Sequence, residues 1–261
     1  FAKWAQNWSV QTGIKFHLPK PKKTKKQNLQ KFTVVSKNIL EDEFDTTFII
    51  QLKPKNDILF ESGDLLAIYP PEDPIKREYS IGKIKNNIFL SIKLHSKGIC
   101  SNYLFGLNHD DVIKAELIVN DKFHYPKKDK IAILIANGTG IAPFLGMLYN
   151  PGKKYLYWGG KSKKSFQLYE HFLNSAKGES NLIDFKSAFS REKGKKRYVQ
   201  NLVERDAKLI LSVLENGGTL MLCGSVQMQN DVLSVLGRLC EKKEKQLNHY
   251  QMYGQLLMDC Y

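Results

Sequence analysis

The residues best suited to bind a phosphate lie in a glycine turn after an apolar run. Residues 131–136 are all apolar, the turn 137–140 (Asn-Gly-Thr-Gly) follows, and an apolar segment with Pro143 in its first turn comes next. This order predicts a buried parallel strand, a tight turn and a helix. Free N–H groups at a helix N-terminus bind anions, and glycine lets the backbone approach them closely. An ordinary strand–turn–helix connection fits the same residues, because the third glycine of the dinucleotide fingerprint is absent.

A second segment supplies the cations that a 2′-phosphate requires. Ser190 and Arg191 follow a predicted strand, and Lys196, Tyr198 and Gln200 lie just beyond them. An enzyme that uses NAD places an acidic residue near the end of its second strand, whereas that strand here ends in Gly-Gly-Lys. A hydroxyl, a guanidinium and an ammonium around one dianion, with a tyrosine to stack on adenine, therefore favour NADP. The alternative is a solvated loop of a lysine-rich protein.

Two segments in the first half of the chain carry side chains for phosphate binding and ring stacking. In 77–80 (Arg-Glu-Tyr-Ser), the arginine offers a bidentate phosphate clamp, the tyrosine a flat face and the serine a hydroxyl donor. In 98–104, a glycine turn leads into a helix-like stretch with Ser101 as its predicted N-cap, and such a helix N-terminus suits a diphosphate. A strand end with a surface ion pair and an ordinary capped helix explain the same residues.

The elements that must position these residues fall into two blocks. From 32 to 126, short strands alternate with turns rich in Gly, Asn, Asp and Pro, which predicts an antiparallel β-barrel. From 127 to 261, strands and helices alternate, which predicts a doubly wound parallel sheet that binds ligands at the carboxyl ends of its strands. Residues 1–31 contain a predicted short helix at 1–8 and a linker rich in lysine and proline at 19–26. We interpret them as a linker and the tail of a preceding domain.

Composition sets the broad class of the protein. The 261 residues carry 40 Lys and Arg against 26 Asp and Glu, a net charge of +14. This charge suits an acidic partner, nucleic acid or a membrane surface, and equally an ordinary lysine-rich surface. The four cysteines lack zinc-site spacing, which favours a reducing compartment. No apolar run approaches the roughly 20 residues of a membrane span. The first residue is Phe1 rather than methionine, so we expect a piece of a longer protein.

Taken together, five motifs resemble those of the ferredoxin–NADP reductase superfamily, and specifically its diflavin reductase branch. The resemblance extends from about Phe32 to Tyr261 and implies an FAD-binding β-barrel followed by an NADP-binding α/β domain. The motifs are Arg-x-Tyr-Ser at 77–80, Gly-x-Cys-Ser at 98–101, Gly-Thr-Gly-x-Ala-Pro-Phe at 138–144, Ala-Phe-Ser-Arg-Glu at 188–192, and Cys-Gly at 223–224 with Met228, Asp231 and Val232. A terminal aromatic residue completes the pattern.

The resemblance implies a role for each matched residue on the FAD side. Arg77 would bind a phosphate of FAD, Tyr79 would stack on the isoalloxazine ring, and Ser80 would lie near flavin N5. The remaining predicted FAD contacts are Glu78, the backbone of Ser91, Ile92 and Lys93, and the diphosphate cradle of Gly98, Ile99, Cys100 and Ser101.

The resemblance also implies the NADP(H) contacts and the groups around the reacting rings. Ser80, Cys223 and Asp259 resemble the polar trio that orients the nicotinamide and eases hydride transfer to the flavin. Tyr261 would cover the flavin face where nicotinamide enters, and would move aside before transfer. The predicted NADP(H) contacts are Gly138, Thr139 and Gly140 at the diphosphate, Ser190, Arg191, Lys196, Tyr198 and Gln200 at the 2′-phosphate end, and Asp231 on the nicotinamide side.

Some features depart from the family pattern. The helical connecting domain of the microsomal reductases is absent or minimal before 77–80, and a flavodoxin-like domain is not present in this sequence. Ser225 stands where several relatives have aspartate, and Tyr261 replaces the tryptophan that is usual in diflavin enzymes.

The function implied is that of an NADPH-dependent FAD oxidoreductase without a metal centre. It would pass electrons to an acidic one-electron carrier, which could be an FMN or flavodoxin-like domain, ferredoxin or a haem protein. The expected location is the cytoplasm, with membrane association only through parts outside this chain and no nucleic-acid partner. The alternatives are a free-standing flavin or metal reductase, and a non-enzymatic basic module that binds membranes or nucleic acid.

Overall fold

A computed structural model describes residues 28–71, 73, 75–126, 130–178, 182–192, 194, 196–241 and 246–261. The predicted helix at 1–8 and the predicted linker at 19–26 lie outside the described residues. The described part contains seven antiparallel strands followed by five parallel strands with helices. The fold class expected from the sequence, a β-barrel followed by a doubly wound α/β domain, is therefore confirmed.

The first sheet is a nearly closed barrel with its apolar side chains inside. Its strand order is β4-β3-β7-β1-β2-β6-β5, and only Ile81 separates the two end strands, β4 and β5, so the chain itself closes the barrel. Alternate residues of β1 such as Phe32 and Val34 are fully buried, as expected for a strand with one face on a core. The elements are β1 (Leu29–Glu41), β2 (Thr46–Pro54), β3 (Leu65–Ile68), β4 (Arg77–Ser80), β5 (Gly82–Ile84), β6 (Asn87–Lys93), α1 (Ile99–Gly106) and β7 (Val112–Ile118).

The second sheet is parallel and carries a hydrophobic core on each face. Its strand order is β10-β9-β8-β11-β12, so the winding direction reverses between β8 and β11. A crevice forms outside the carboxyl ends of the strands at such a reversal, and ligands bind there. The elements are β8 (Ala132–Asn137), α2 (Ala142–Met147), β9 (Lys154–Gly160), α3 (Glu170–Gly178), β10 (Leu182–Phe189), α4 (Val199–Arg205), α5 (Ala207–Glu215), β11 (Thr219–Gly224), α6 (Val226–Glu241), α7 (Leu247–Met252) and β12 (Leu256–Cys260).

A shared core joins the barrel to one face of the parallel sheet. Ile49 and Phe89 of the barrel belong to the same buried cluster as Phe144 of α2 and Phe172 of α3. The rings of Phe89 and Phe172 meet edge to face, with centroids 5.4 Å apart. Since well-packed apolar contacts resist sliding, this core holds the edge of the barrel against the carboxyl ends of the strands.

Candidate functional site

The glycine turn 138–140 lies at the reversal between β8 and β11. It forms a short 3-10 helix that leads into α2, where Pro143 occupies the first turn. Gly140 packs so closely on the end of β11 that an added Cβ would lie 2.4 Å from the carbonyl oxygen of Cys223. Gly138 has a φ of +53° and open space where a Cβ would be. The turn thus presents bare backbone to a cavity, as a diphosphate requires.

The cavity has a volume of about 630 Å³ and is lined by both domains. The barrel contributes the end of β1, the start of β2 and Lys93, and the parallel sheet contributes the carboxyl ends of its strands. Of the NADP(H) contacts expected from the sequence, six line this cavity, and so does the expected flavin cover Tyr261; the six are Gly138, Thr139, Ser190, Tyr198, Gln200 and Asp231. Gly140 is buried behind the turn.

The three residues of the expected polar trio come together across the domain boundary. Cys223 and Asp259 are direct neighbours on the parallel strands β11 and β12, and the Ser80 hydroxyl, from the barrel, donates to the Asp259 carboxylate at 2.7 Å. Ser80 is also within hydrogen-bonding distance of the Cys223 thiol. Strand pairing therefore positions two of the groups, and the shared core brings the third.

Burial controls the charges of this trio. Cys223 is fully buried, and this burial, with the nearby Asp259, raises the pKa of its thiol well above the usual value. Burial also raises the pKa of Asp259, while the hydrogen bond from Ser80 acts in the opposite direction. At neutral pH Cys223 is therefore an uncharged thiol, and the proton equilibrium of Asp259 depends on the Ser80 hydroxyl.

Tyr261 is held beside the glycine turn rather than frayed. Its N–H donates to the Gly224 carbonyl at 2.9 Å, and its carbonyl accepts from Val226 N–H at 3.3 Å. Its hydroxyl lies 3.4 Å from Oγ1 of Thr139, while 64% of the residue remains exposed. The backbone is thus anchored by strand pairing, and the ring projects over the crevice.

Three of the expected FAD contacts, Arg77, Tyr79 and Cys100, form a cluster on the barrel outside the lining of this cavity. Tyr79 is half-buried, and its phenol is hydrogen-bonded to the thiol of Cys100. Burial, reinforced by that hydrogen bond, raises the pKa of Tyr79, so its ring is neutral. The Arg77 guanidinium donates to the Ile75 carbonyl at 2.9 Å and lies 3.3 Å from Asp73. Arg77 keeps a large exposed surface, as a phosphate ligand needs, and Glu78 pairs with Lys76 at 2.7 Å.

The predicted cap of α1 is wrong. The helix begins at Ile99 with Gly98 as its N-cap, and Ser101 lies inside the first turn. The Ser101 hydroxyl donates to the Gly98 carbonyl at 3.0 Å and accepts from His95 N–H, so it braces the loop. A glycine N-cap has no side chain to satisfy the first N–H groups, which leaves them for a ligand. Ile99 is exposed, and Cys100 packs in the barrel core.

The segment 91–93 is the end of β6 beside the crevice. The Ser91 hydroxyl and the Tyr169 hydroxyl are 2.8 Å apart and link barrel to α/β domain. The Ile92 side chain is buried in the barrel core, and Lys93 forms an ion pair with Asp45 at 2.5 Å. Because its side chain is buried, Ile92 can contact a ligand only through its backbone.

The cations of 190–200 do not all face the cavity. Arg197 lines it, whereas Arg191 and Lys196 are exposed beyond its wall. The Ser190 hydroxyl donates to the Gly160 carbonyl at 3.3 Å. Tyr198 is 48% exposed at the start of α4, with its ring free to stack.

The carboxylate of Asp231 is held by two amides. Gln200 and Gln227 donate to its two oxygens at 3.0 and 2.9 Å. The sequence did not indicate Arg197, Gln227 or Tyr169, although Arg197 stands next to a selected lysine. Tyr169 gave no local signal because its partner, Ser91, comes from a distant segment.

No group of three or more His, Cys, Asp and Glu side chains suited to a metal ion occurs within the described ranges. Across that same part of the chain, no helix combines the length and apolar character needed to cross a membrane.

Comparisons with known proteins place this geometry among oxidoreductases. Residues 134–234 match the family model described as oxidoreductase NAD-binding domain. The chain is 34% identical over 166 residues to NADPH–cytochrome P-450 reductase of Drosophila melanogaster, covering 57% of this chain and 24% of that protein. It is 27% identical over 218 residues to the sulfite reductase [NADPH] flavoprotein alpha-component of Buchnera aphidicola, covering 76% of this chain and 36% of that protein. The chain thus spans only about a quarter to a third of these relatives.

A solved structure shares the fold over nearly the whole length. The ferredoxin-NADP+ reductase from Plasmodium falciparum superposes with a TM-score of 0.73 at 23% identity, covering 90% of this chain and 97% of that one. The same reductase has also been solved with 2'P-AMP.

Proposed function

We propose that this chain is an NADPH-dependent FAD oxidoreductase module of the ferredoxin–NADP reductase superfamily, in its diflavin reductase branch. One observation carries this proposal. Ser80 from the barrel and Asp259 from the last strand meet at 2.7 Å, beside Cys223, where the two domains touch. A binding module without activity has no need for a polar trio assembled from both domains.

The residues at the barrel end fit FAD. Arg77 would bind a phosphate, because its guanidinium is exposed on one side and oriented by Asp73 on the other. The uncapped N–H groups of α1 would face the diphosphate, and Tyr79 would stack on the flavin ring. Glu78 and the backbone of 91–93 would complete this site.

The residues at the sheet end fit NADPH. The open space at Gly138 matches the close approach of a diphosphate, with the Thr139 hydroxyl as an additional donor. Ser190, Arg197 and Tyr198 line the part of the cavity that suits a 2′-phosphate and adenine. Arg191 and Lys196 lie in the same loop and would contribute from its outer side. The structure of the Plasmodium falciparum relative with 2'P-AMP supports this assignment.

When both cofactors are bound, they supply the redox chemistry, with a hydride passing from nicotinamide C4 to flavin N5. The protein orients the reacting rings. Ser80 would hold its hydroxyl between Asp259 and the reacting atoms, and Cys223 would present a neutral thiol to the nicotinamide. Asp231, fixed by two glutamines, would orient the nicotinamide nucleotide.

Tyr261 would act as a movable cover over the flavin. Its backbone is fixed by hydrogen bonds to Gly224 and Val226, but its ring is largely exposed and its hydroxyl contact at 3.4 Å is weak. Rotation of the side chain alone would therefore open the crevice to nicotinamide. The ring would exclude water when the nicotinamide is absent.

The proposal includes an electron acceptor and a compartment. The net charge of +14 favours an acidic one-electron carrier, such as an FMN or flavodoxin-like domain, ferredoxin or a haem protein. The four cysteines are free thiols, which suits the reducing cytoplasm. Any membrane attachment would come from parts of the protein outside this chain.

Flavin reduction tests the proposed function directly. Purified protein supplied with FAD should be yellow, should bleach with NADPH under anaerobic conditions, and should then reduce ferricyanide as a one-electron acceptor. NADH should bleach it more slowly. Protein that takes up no FAD, yet is retained on acidic lipid vesicles or DNA, would contradict the proposal.

Removal of the loop cations tests the coenzyme assignment. Arg191→Ala with Lys196→Ala, and separately Arg197→Ala, should each raise KM for NADPH about tenfold, because hydrogen bonds to a charged phosphate are lost. KM for NADH should change by less than about twofold. Lys208→Ala, an exposed charge change on α5, is the matched control. Equal effects on both coenzymes would refute the 2′-phosphate assignment.

A further inference from the structure

The hairpin between β1 and β2 reaches from the barrel to the loop after β9. Its turn is closed by a hydrogen bond from Asp42 N–H to the Asp45 carbonyl at 2.9 Å. The Asp42 carboxylate accepts a hydrogen bond from the hydroxyl of Ser162, a residue that is 6% exposed. The Asp45 carboxylate pairs with Lys161 at 2.6 Å and with Lys93 at 2.5 Å. A barrel hairpin therefore contacts the α/β domain where the second strand of its sheet ends.

These charges form part of the wall of the nucleotide cavity. Asp42, Asp45, Lys93 and Lys161 all line it. A backbone hydrogen bond from Arg191 N–H to the Lys161 carbonyl, 2.8 Å long, joins the loop to the segment proposed for the 2′-phosphate. Lys161 thus stands at the phosphate end of the cavity, with an acidic residue of the other domain on its ammonium group.

The ion pair places an anion where an anionic ligand is expected. Burial alone would raise the pKa of Asp45. Hydrogen bonds from Lys161 and Lys93 act in the opposite direction and leave that pKa below its ordinary value. The carboxylate is therefore ionised at neutral pH. An incoming phosphate therefore has to compete with this carboxylate for the ammonium group of Lys161.

We infer that Asp45 sets the affinity and specificity for phosphorylated nucleotides, as an internal anion that holds Lys161 until a phosphate of the coenzyme replaces it. This inference rests on the proposed function. Binding exchanges one ion pair for another, so affinity is lower than an unpaired lysine would give. The exchange also releases one of the two acidic contacts between the hairpin and the α/β domain.

The hairpin stays in position when Asp45 is neutralised. The contact from Asp42 to Ser162 remains, and strand pairing continues to the last register pair of the hairpin, Glu41 with Thr46. Asp45→Asn keeps the size of the side chain and one acceptor oxygen, while it removes the charge and replaces the other oxygen with an amide donor. Loss of the fold is therefore not the expected result of this substitution.

Binding of adenosine 2′,5′-bisphosphate to the FAD-loaded chain tests the inference. At low salt, about 20 mM, Asp45→Asn should bind the bisphosphate about fivefold more tightly than the wild type. This factor corresponds to the upper end of the free energy of a partly exposed ion pair. At about 300 mM salt the gain should fall below about twofold. Glu43→Gln removes one charge from the same turn at an exposed position, and should leave the affinity within about twofold of wild type.

A double-mutant cycle identifies the lysine involved. In a Lys161→Met background, Asp45→Asn should change the dissociation constant by less than about twofold, because the competing donor is gone. Unchanged or weaker binding by Asp45→Asn, or an equal gain in Glu43→Gln, would overturn the inference. Failure of the wild type to bind the bisphosphate more tightly than adenosine 5′-monophosphate would instead contradict the proposed function.

Discussion

Two glycines of the same turn should respond to alanine differently, one mainly in stability and the other mainly in coenzyme binding. A Cβ at Gly140 would lie 2.4 Å from the carbonyl oxygen of Cys223 and 2.6 Å from the Cα of Gly224. Ordinary contact begins at 3.4 Å, so the turn has to move by the difference, 3.4 − 2.4 = 1.0 Å. Both obstructing atoms are backbone of β11, which is paired on both sides by β8 and β12. Displacing β11 would disturb its hydrogen bonds to both neighbours, so the steric strain is expected to remain in the folded state and to lower its stability.

The cost of Gly140→Ala follows from that geometry. Overpacking in a rigid interior costs about 1–3 kcal/mol, and contact with backbone atoms of a strand that is paired on both sides favours the upper value. In a chain of this size, each kcal/mol lowers Tm by about 2–4 °C, which gives a decrease of about 6–12 °C. Thermal unfolding followed by circular dichroism, with FAD at saturation, would measure it.

Gly138→Ala is the matched comparison. Its Cβ meets open space, so the cost is the left-handed backbone at a φ of +53°, about 1–2 kcal/mol. Its methyl group enters the cavity at the proposed diphosphate position, so NADPH binding should weaken more than stability does. If Gly140→Ala melts at the wild-type temperature, or if it melts above Gly138→Ala, the close approach of the turn to β11 is not as described.

Two further predictions concern the cover of the flavin and a buried lysine. Tyr261→Ala should relax the preference for NADPH over NADH by freeing the flavin face, and an unchanged ratio of the two kcat/KM values would count against that role. Lys154 is fully buried, with its ammonium group donating to the carbonyls of Asn150 and Gly152, and burial lowers its pKa to about 8. The unfolded chain therefore binds more protons between about pH 8 and pH 10.5, so wild-type stability should rise over that range relative to Lys154→Met. Urea unfolding at both ends of the range measures this difference, and a constant difference would contradict the assignment.

The sequence predicted the local elements of the site well. Apolar runs closed by glycine, such as 131–136 before Gly138, identify buried strands and the turns that follow them. The predicted cap at Ser101 was wrong because Gly98 already has the extended backbone of an N-cap, and the helix begins at Ile99. The strand β12 was not predicted, since it is a short segment that becomes a strand only by pairing with β11.

The sequence pattern did not predict contacts between distant segments. The pairing of Asp45 with Lys161 joins a barrel turn to a loop more than a hundred residues later, and the contact of Ser91 with Tyr169 joins two segments 78 residues apart. Neither contact is marked by a periodic pattern or a characteristic spacing in the sequence, because each depends on how the two domains pack. The choice of Arg197 rather than Lys196 as the cavity residue depends on how the loop returns to β10, where Arg197 N–H bonds to Phe189.

By itself, the sequence determined which two kinds of sheet form and which residues stand at the ends of their strands, because strand periodicity and glycine turns are local properties. Only the tertiary structure decided which of those strand ends share one crevice. Strand pairing brings Asp259 beside Cys223 and places Tyr261 over the glycine turn, and the core between the domains brings Ser80 to them. These contacts depend on packing free energy summed over many distant residues, which no single stretch of the chain contains.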